Sequence, residues 1–164
     1  MSRGGVGGLA ILVLLASLWG CSEEREPDAR FATPESTLDT LLGVYGVADM
    51  SQEEIQQQMR SRGRFELRDE ATYEACFDDY DGPQHEGLAG YVFGTVAAGK
   101  DQLRINMVQG KAHVFPDPDR RERYVVLVQS DGEWKISLRE SVPADVRGAL
   151  IEQYERMSER RGGQ

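Results

Sequence analysis

Residues Tyr124–Leu138 read YVVLVQSDGEWKISL, and their pattern decides the fold class. Tyr124 to Val128 is an unbroken apolar run rich in valine, suited to a central strand covered on both faces. Ser130-Asp131-Gly132 is turn chemistry. Beyond it Trp134, Ile136 and Leu138 alternate with Lys135, Ser137 and Arg139, the two-residue period of a strand with one face covered. The stretch is therefore expected to fold as a β-hairpin.

Upstream the same period appears again. Leu103, Ile105 and Met107 alternate with Arg104 and Asn106, Gln109-Gly110 makes a turn, and Ala112 and Val114 continue on a returning strand. Pro116-Asp117-Pro118-Asp119 breaks the pattern before Tyr124. Four successive strands joined by short turns predict an antiparallel meander.

Before Gly99 the period lengthens to that of a helix. Thr33-Pro34-Glu35 supplies an N-cap, a proline at the first helical position and an acid in the first turn. Leu38, Leu41, Leu42 and Tyr45 then share one face, and Gly46 is the expected stop. Ser51-x-x-Glu54 forms a capping box ahead of Ile55 and Met59. Asp69 caps a third segment in which Tyr73, Cys76, Phe77 and Tyr80 follow helical spacing. Leu88 to Ala98 fits a helix by spacing, while Gly87, Gly90, Gly94 and the Tyr91-Val92-Phe93 triplet also suit a strand. A last helix starts near Ser141-Val142-Pro143 and carries Val146, Ala149, Leu150 and Met157. The fold expected is α+β: N-terminal helices packed on a curved antiparallel sheet of about four strands, with an extra C-terminal helix.

Composition narrows the partners. The chain has 164 residues and a formal net charge of −9, from 28 acidic and 19 basic side chains. That length suits one domain. Residues 1–20 hold 12 apolar residues and a single charge, Arg3, so the remainder carries −10. A surface so acidic repels phosphate, which excludes nucleic acid as the expected partner.

Residues 1–20 read as an address. Val6 to Leu18 is 13 residues long, about 20 Å as a helix, against a bilayer core of about 30 Å. With Arg3 ahead of it, the segment has the layout of a secretory signal. It ends in Leu18-Trp19-Gly20-Cys21, which resembles the bacterial lipoprotein signal, an aliphatic residue at −3 and a small one at −1 before the cysteine. Trp19 departs from the small residue usual at −2. The resemblance implies cleavage before Cys21, a diacylglycerol on its thiol and a further acyl chain of the palmitate type on its amino group. Two or three chains anchor a protein permanently. In that family Ser22 at the next position implies sorting to the outer membrane, with the protein facing the periplasm of the cell envelope. Residues 21–33, charged and carrying Pro27, are expected to form a flexible tether, and 34–164 the single folded domain.

A second resemblance rests on Val125, Val126, Leu127, Val128, Asp131, Gly132, Trp134, Lys135 and Ile136. This hairpin, after N-terminal helices, is similar to that of the cone-shaped ketosteroid-isomerase and nuclear-transport-factor-like domains. Such a cone implies a pocket. The superfamily includes enzymes, binders and scaffolds, so the likeness says little of function.

Candidate chemistry is sparse. With Cys21 lipidated, Cys76 is a lone thiol beside Glu74, Asp78 and Asp79, an environment that disfavours thiolate and suits a core residue. Asp78-Asp79-Tyr80-Asp81-Gly82 fails the calcium-loop spacing, since Phe77 and Leu88 would stand at the first and last ligand positions. It reads as a solvated helix end. His85 and His113 have no ligand cluster around them, so no metal and no cofactor are expected. His113 points opposite to Ala112 and Val114; with Phe115 it either lines the mouth of a cone or faces water. Tyr45 is a further candidate for such a pocket, and no motif fixes a catalytic residue. Arg120-Arg121-x-Arg123 suits either contact with anionic lipid or a loop of alternating charge. The function expected is that of a membrane-anchored lipoprotein, non-catalytic, binding a small apolar ligand or an envelope protein. The alternatives are an isomerase, dehydratase or hydrolase of the cone type, and an envelope assembly factor acting through the last helix.

Overall fold

The computed structural model describes residues 26–162 apart from Arg62, Arg64, Pro118 and Arg121; Cys21 and the expected signal lie outside the described residues. The order of elements is α1 (Pro34–Val44), α2 (Gln52–Arg60), α3 (Glu70–Ala75), α4 (Glu86–Ala98), β1 (Arg104–Val108), β2 (Lys111–Phe115), β3 (Val125–Ser130), β4 (Glu133–Ile136), α5 (Leu138–Ser141) and α6 (Ala144–Gly162). The strands pair in the order β1-β2-β3-β4, each antiparallel to the next. This is the α+β arrangement that the change of period predicts, C-terminal helix included.

Local chemistry accounts for the helix ends. At α1, Ser36 N–H donates to Thr33 Oγ1 at 3.1 Å and Thr33 N–H donates to Ser36 Oγ at 3.0 Å. Ser51 and Glu54 form the equivalent box at α2, which holds the Glu54 carboxyl below its ordinary pKa through the Ser51 N–H. Gly46 ends α1 with φ of +66°, and a Cβ there would run into the Arg68 guanidinium. The segment left open between helix and strand is α4, a helix of 13 residues.

The core lies between the helices and one face of the sheet. Ala112, Val114, Val125, Leu127 and Ile136 alternate onto that face and are at most 1% exposed. Leu38, Leu41 and Leu42 from α1 and Leu88, Val92, Phe93 and Val96 from α4 complete it. No helix among the described residues is long and apolar enough to cross a membrane.

Three departures from the expected layout gather around β4 and its end, and the first satisfies the outer edge of that strand. First, α3 stops at Ala75 although Tyr73, Cys76, Phe77 and Tyr80 keep helical spacing. Ile136 N–H donates to the Cys76 carbonyl at 2.8 Å and Asp78 N–H to the Ile136 carbonyl at 2.9 Å, so the chain pairs with β4 instead of continuing the helix. Second, β4 ends at Ile136 and Leu138 begins α5, because the Asp79 carboxylate accepts from Leu138 N–H at 2.7 Å and Arg139 N–H at 2.9 Å. Asp79 is thus a tertiary helix cap rather than part of a solvated helix end. Third, the fold begins before Pro34. Asp28 N–H donates to Glu133 Oε1 at 2.8 Å, Ala29–Phe31 forms a 3-10 turn, and Phe31 is 2% exposed in the core with Lys135 Nζ 3.6 Å above its ring. The last residues of the expected tether therefore belong to the folded body.

Two tests follow from this edge. Asp79→Ala removes the two carboxylate bonds to the first turn of α5, leaving the Ser137 cap, and is expected to lower unfolding stability by about 1–2 kcal/mol in urea titration. The Glu133 carboxyl is held below its ordinary value of 4.5, first by its bond from Lys135 and then by Asp28 N–H. A lowered folded pKa contributes stability that is complete above the unfolded value and lost as pH falls through the folded one. Urea midpoints of the native chain should therefore fall as pH is lowered below about 4.5, and Glu133→Gln should show a shallower fall.

Candidate binding groove

α4 buries Leu88, Val92, Phe93 and Val96 and turns its other side outward. That outward side carries small or short residues, Gly90, Gly94, Thr95 and Ala98, together with Tyr91. It forms one wall of an open groove of about 570 Å³ whose opposite wall is the segment after β2, with Pro116, Asp117, Arg120 and Arg123. The walls are set close at one end by Gly99, where a Cβ would collide with the Pro116 carbonyl. A second recess of about 230 Å³ continues the groove, sharing Tyr91, Thr95 and Arg123 and closed by Tyr124, Ser141 and Pro143.

The groove is polar along its rim. Arg120 Nε lies 3.7 Å from Asp117 Oδ2. The Arg123 guanidinium is exposed and makes no hydrogen bond or ion pair with a described residue. Thr95 Oγ1 donates to the Tyr91 carbonyl at 2.8 Å, which leaves its oxygen free to accept. In the second recess Glu140 is engaged by Lys111 Nζ at 2.7 Å. Among the described residues the larger groove carries Asp117, Arg120 and Arg123, and the recess adds Glu122 and Glu140, so charges of both signs alternate along the rim.

Two glycines in the wall have no account within the chain. A Cβ built on Gly90 or Gly94 meets nothing within 4 Å, and neither residue is at positive φ. Gly87, a turn earlier, differs, since its Cβ would touch Leu150 of α6 at 3.6 Å. Glycine inside a helix costs about 0.5–1 kcal/mol relative to alanine, so α4 carries a penalty on the face that lines the groove.

The residues singled out from sequence are not gathered into one pocket. His113 and Phe115 come together on the face of the sheet turned away from the helices. His113 stacks on Tyr124 with ring centroids 5.0 Å apart and planes at 9°, and Phe115 lies 5.7 Å from the same ring. Tyr45 belongs to the helix layer, 4.0 Å from the Phe93 ring and 5.7 Å from Tyr73. Burial pushes the Tyr45 and Tyr73 hydroxyls up from the usual phenol range. Cys76 is fully buried, its Sγ donating to the Thr72 carbonyl at 3.3 Å, and burial pushes its thiol up to about 12. His85 is half-buried, its Nδ1 accepting from Asp81 N–H at 2.9 Å. Among the described residues no three His, Cys, Asp or Glu are placed to hold a metal ion.

Sequence reading touched both walls without joining them. Gly90 and Gly94 counted only against a helix, and Arg120 with Arg123 only as loop charge. The available signal was their combination: glycines four apart on one helix face, with no glycine-requiring turn. The chain matches no protein-family model, no curated protein and no solved structure.

Because the space beside each position is open, Gly90→Ala and Gly94→Ala are each expected to raise unfolding stability by about 0.5–1 kcal/mol. Urea titration of the two variants checks this.

Proposed function

We propose that the protein is a lipid-anchored component of the bacterial cell envelope whose folded domain is a binding module, with the α4 groove as its site. The observation that carries the binding role is the groove itself: about 570 Å³ of open space, polar at the rim, beside a core that is filled. The charged groups around it are exposed, and the buried polar side chains are hydroxyls, Thr37, Thr72, Ser137 and Ser141. Thr37 donates to the Trp134 carbonyl at 2.8 Å and Ser141 accepts from Val126 N–H at 2.9 Å, so both are engaged in holding the fold.

Support for the anchor comes from Leu18-Trp19-Gly20-Cys21, and Ser22 supports the outer membrane as destination. With Asp28 fixed to Glu133, the tether is the short run from Cys21 to Pro27. Fully extended, such a run reaches about 23–25 Å. The domain then sits near the lipid surface, held there by its anchor.

Two measurements on the full chain in a bacterial host test this reading. Alkyne-palmitate should label the protein in the membrane fraction, and Cys21→Ser should lose both label and membrane partition; a labelled Cys21→Ser chain overturns the anchor. A photo-crosslinking amino acid replacing Thr95 should give a discrete adduct in the envelope, while the same group replacing Asp131, on the β3–β4 turn, should give none. Equal adducts at both positions, or none at Thr95, overturn the groove as binding site.

A further inference from the structure

Two large apolar side chains stand exposed together at one end of the sheet. Met107 is 59% exposed and Val108 43%, beside the two-residue turn Gln109-Gly110. They lie on opposite faces of β1. Met107 shares the core side with its partner Ala112, yet the helices leave it bare, so both sides of the hairpin end are open. The register puts this turn at the same end of the sheet as the β3–β4 turn, since Val108 pairs with Lys111, Ala112 with Leu127 and Ser130 with Glu133. The chain enters the fold at that end too. Asp28 N–H donates to Glu133 Oε1, and Pro27 lies 3.3 Å from where a Cβ on Gly132 would stand. β1 is three strand spacings from β4, about 15 Å across the sheet. The run from Cys21 to Pro27, with its extended reach of about 23–25 Å, therefore lets the Gln109-Gly110 turn meet the surface that holds Cys21. No acidic residue lies between Asp101 and Asp117, and the ionisable side chains of the hairpin are Arg104, Lys111 and His113, with Lys111 paired to Glu140. At the neighbouring turn Asp131 is exposed. Of the two turns at this end, only that of β1 and β2 joins exposed apolar side chains to strands free of carboxylates.

Resting on the lipid-anchor reading above, we infer that the end of the β1–β2 hairpin is a second membrane contact, with Met107 and Val108 entering the lipid interface. Two side chains are too few to recruit a free protein, but a tethered one meets lipid at high local concentration, so a weak contact is enough to set its orientation. Pairing of β1 with the β1 of a second copy would satisfy its open backbone edge but leave open the faces on which these side chains stand. Lipid covers both faces at once. The α4 groove lies by Pro116, beyond the opposite end of β2, so this contact turns it away from the membrane.

The test uses the full chain, purified in detergent from a bacterial envelope and reconstituted into vesicles of phosphatidylethanolamine and phosphatidylglycerol. Cys76 is fully buried and Cys21 is acylated, so Met107→Cys offers an open thiol for a polarity-sensitive dye at the hairpin end. Met157→Cys replaces an exposed methionine of α6 in the same way and is the control. Lipids brominated on their acyl chains should quench the dye at 107 roughly twofold or more beyond the dye at 157. Val108→Asp should remove that difference, while flotation with the vesicles and the urea midpoint stay close to those of the native chain. Equal quenching at 107 and 157 in chains that float with the vesicles overturns the hairpin contact and leaves the anchor standing. Shielding of position 107 that ignores bromination and rises with protein density makes a second copy the occupant and also overturns it. A native chain that neither takes the palmitate label nor floats overturns the anchor, and the hairpin contact with it.

Discussion

The backbone of Ile136 joins the parts of this fold. Its N–H and carbonyl face away from the sheet and would be orphaned at a strand edge, at a cost of about 1–3 kcal/mol for each buried polar group. Instead they meet Cys76 and Asp78 at 2.8 and 2.9 Å. Its side chain is fully buried and stands opposite Leu127 across the hairpin. The chain after α3 is therefore fixed against β4, which sets Asp79 over the start of α5. With α5 fixed, Ser141 reaches the free Val126 N–H of β3, and Ser137 N–H reaches the Val126 carbonyl at 2.9 Å. One edge requirement thus determines where α3 ends, where β4 ends and where α6 departs.

That departure shapes the outer surface. α6 leaves from Pro143 and runs for 19 residues, yet none of its side chains is fully buried. Its contact with α4 is through Leu150 beside Gly87, near the start of α4. Farther along, Gly94, Thr95 and Ala98 of α4 share the groove with the segment after β2. Pro116 approaches at Gly99, and Asp117, Arg120 and Arg123 line the groove before the chain enters β3. The groove is the space between a helix fixed by the core and this segment, where Arg120 N–H donates to the Asp117 carbonyl and Arg123 N–H to the Arg120 carbonyl.

How far the sequence carries this depends on whether an interaction is local. Periodicity located the four strands and the helices α1, α2 and α6, because alternation and helical spacing report burial directly, and it left α4 open between helix and strand. Capping at Thr33, Ser51 and Asp69 was legible for the same reason, as each cap is satisfied within three residues. Asp79 was not, because its partners lie at Leu138 and Arg139, almost sixty residues on. Phe31 was hidden because it is a single apolar side chain in a three-residue turn after a charged run, and the Lys135 ammonium that covers its ring lies more than a hundred residues on. His113, Phe115 and Tyr45 were grouped as candidates for one pocket, but alternation along a strand does not say which face of the sheet the helices cover, and the structure sets His113 and Phe115 beside Tyr124 and Tyr45 beside Phe93. The groove needed two distant segments brought together, and no local pattern announces that.

Two explanations of the open face of α4 can be separated by the glycines themselves. If the groove were merely imperfect packing, the residues lining it would be free to follow helix propensity, and alanine would serve better at both positions. Gly87 shows what a packing glycine looks like in the same helix, with Leu150 seated against it. Gly90 and Gly94 have the same cost and no such neighbour, and they stand opposite the two arginines rather than scattered around the helix. A penalty concentrated on the face of α4 that lines the groove is the arrangement expected when the contact that repays it is made with another molecule.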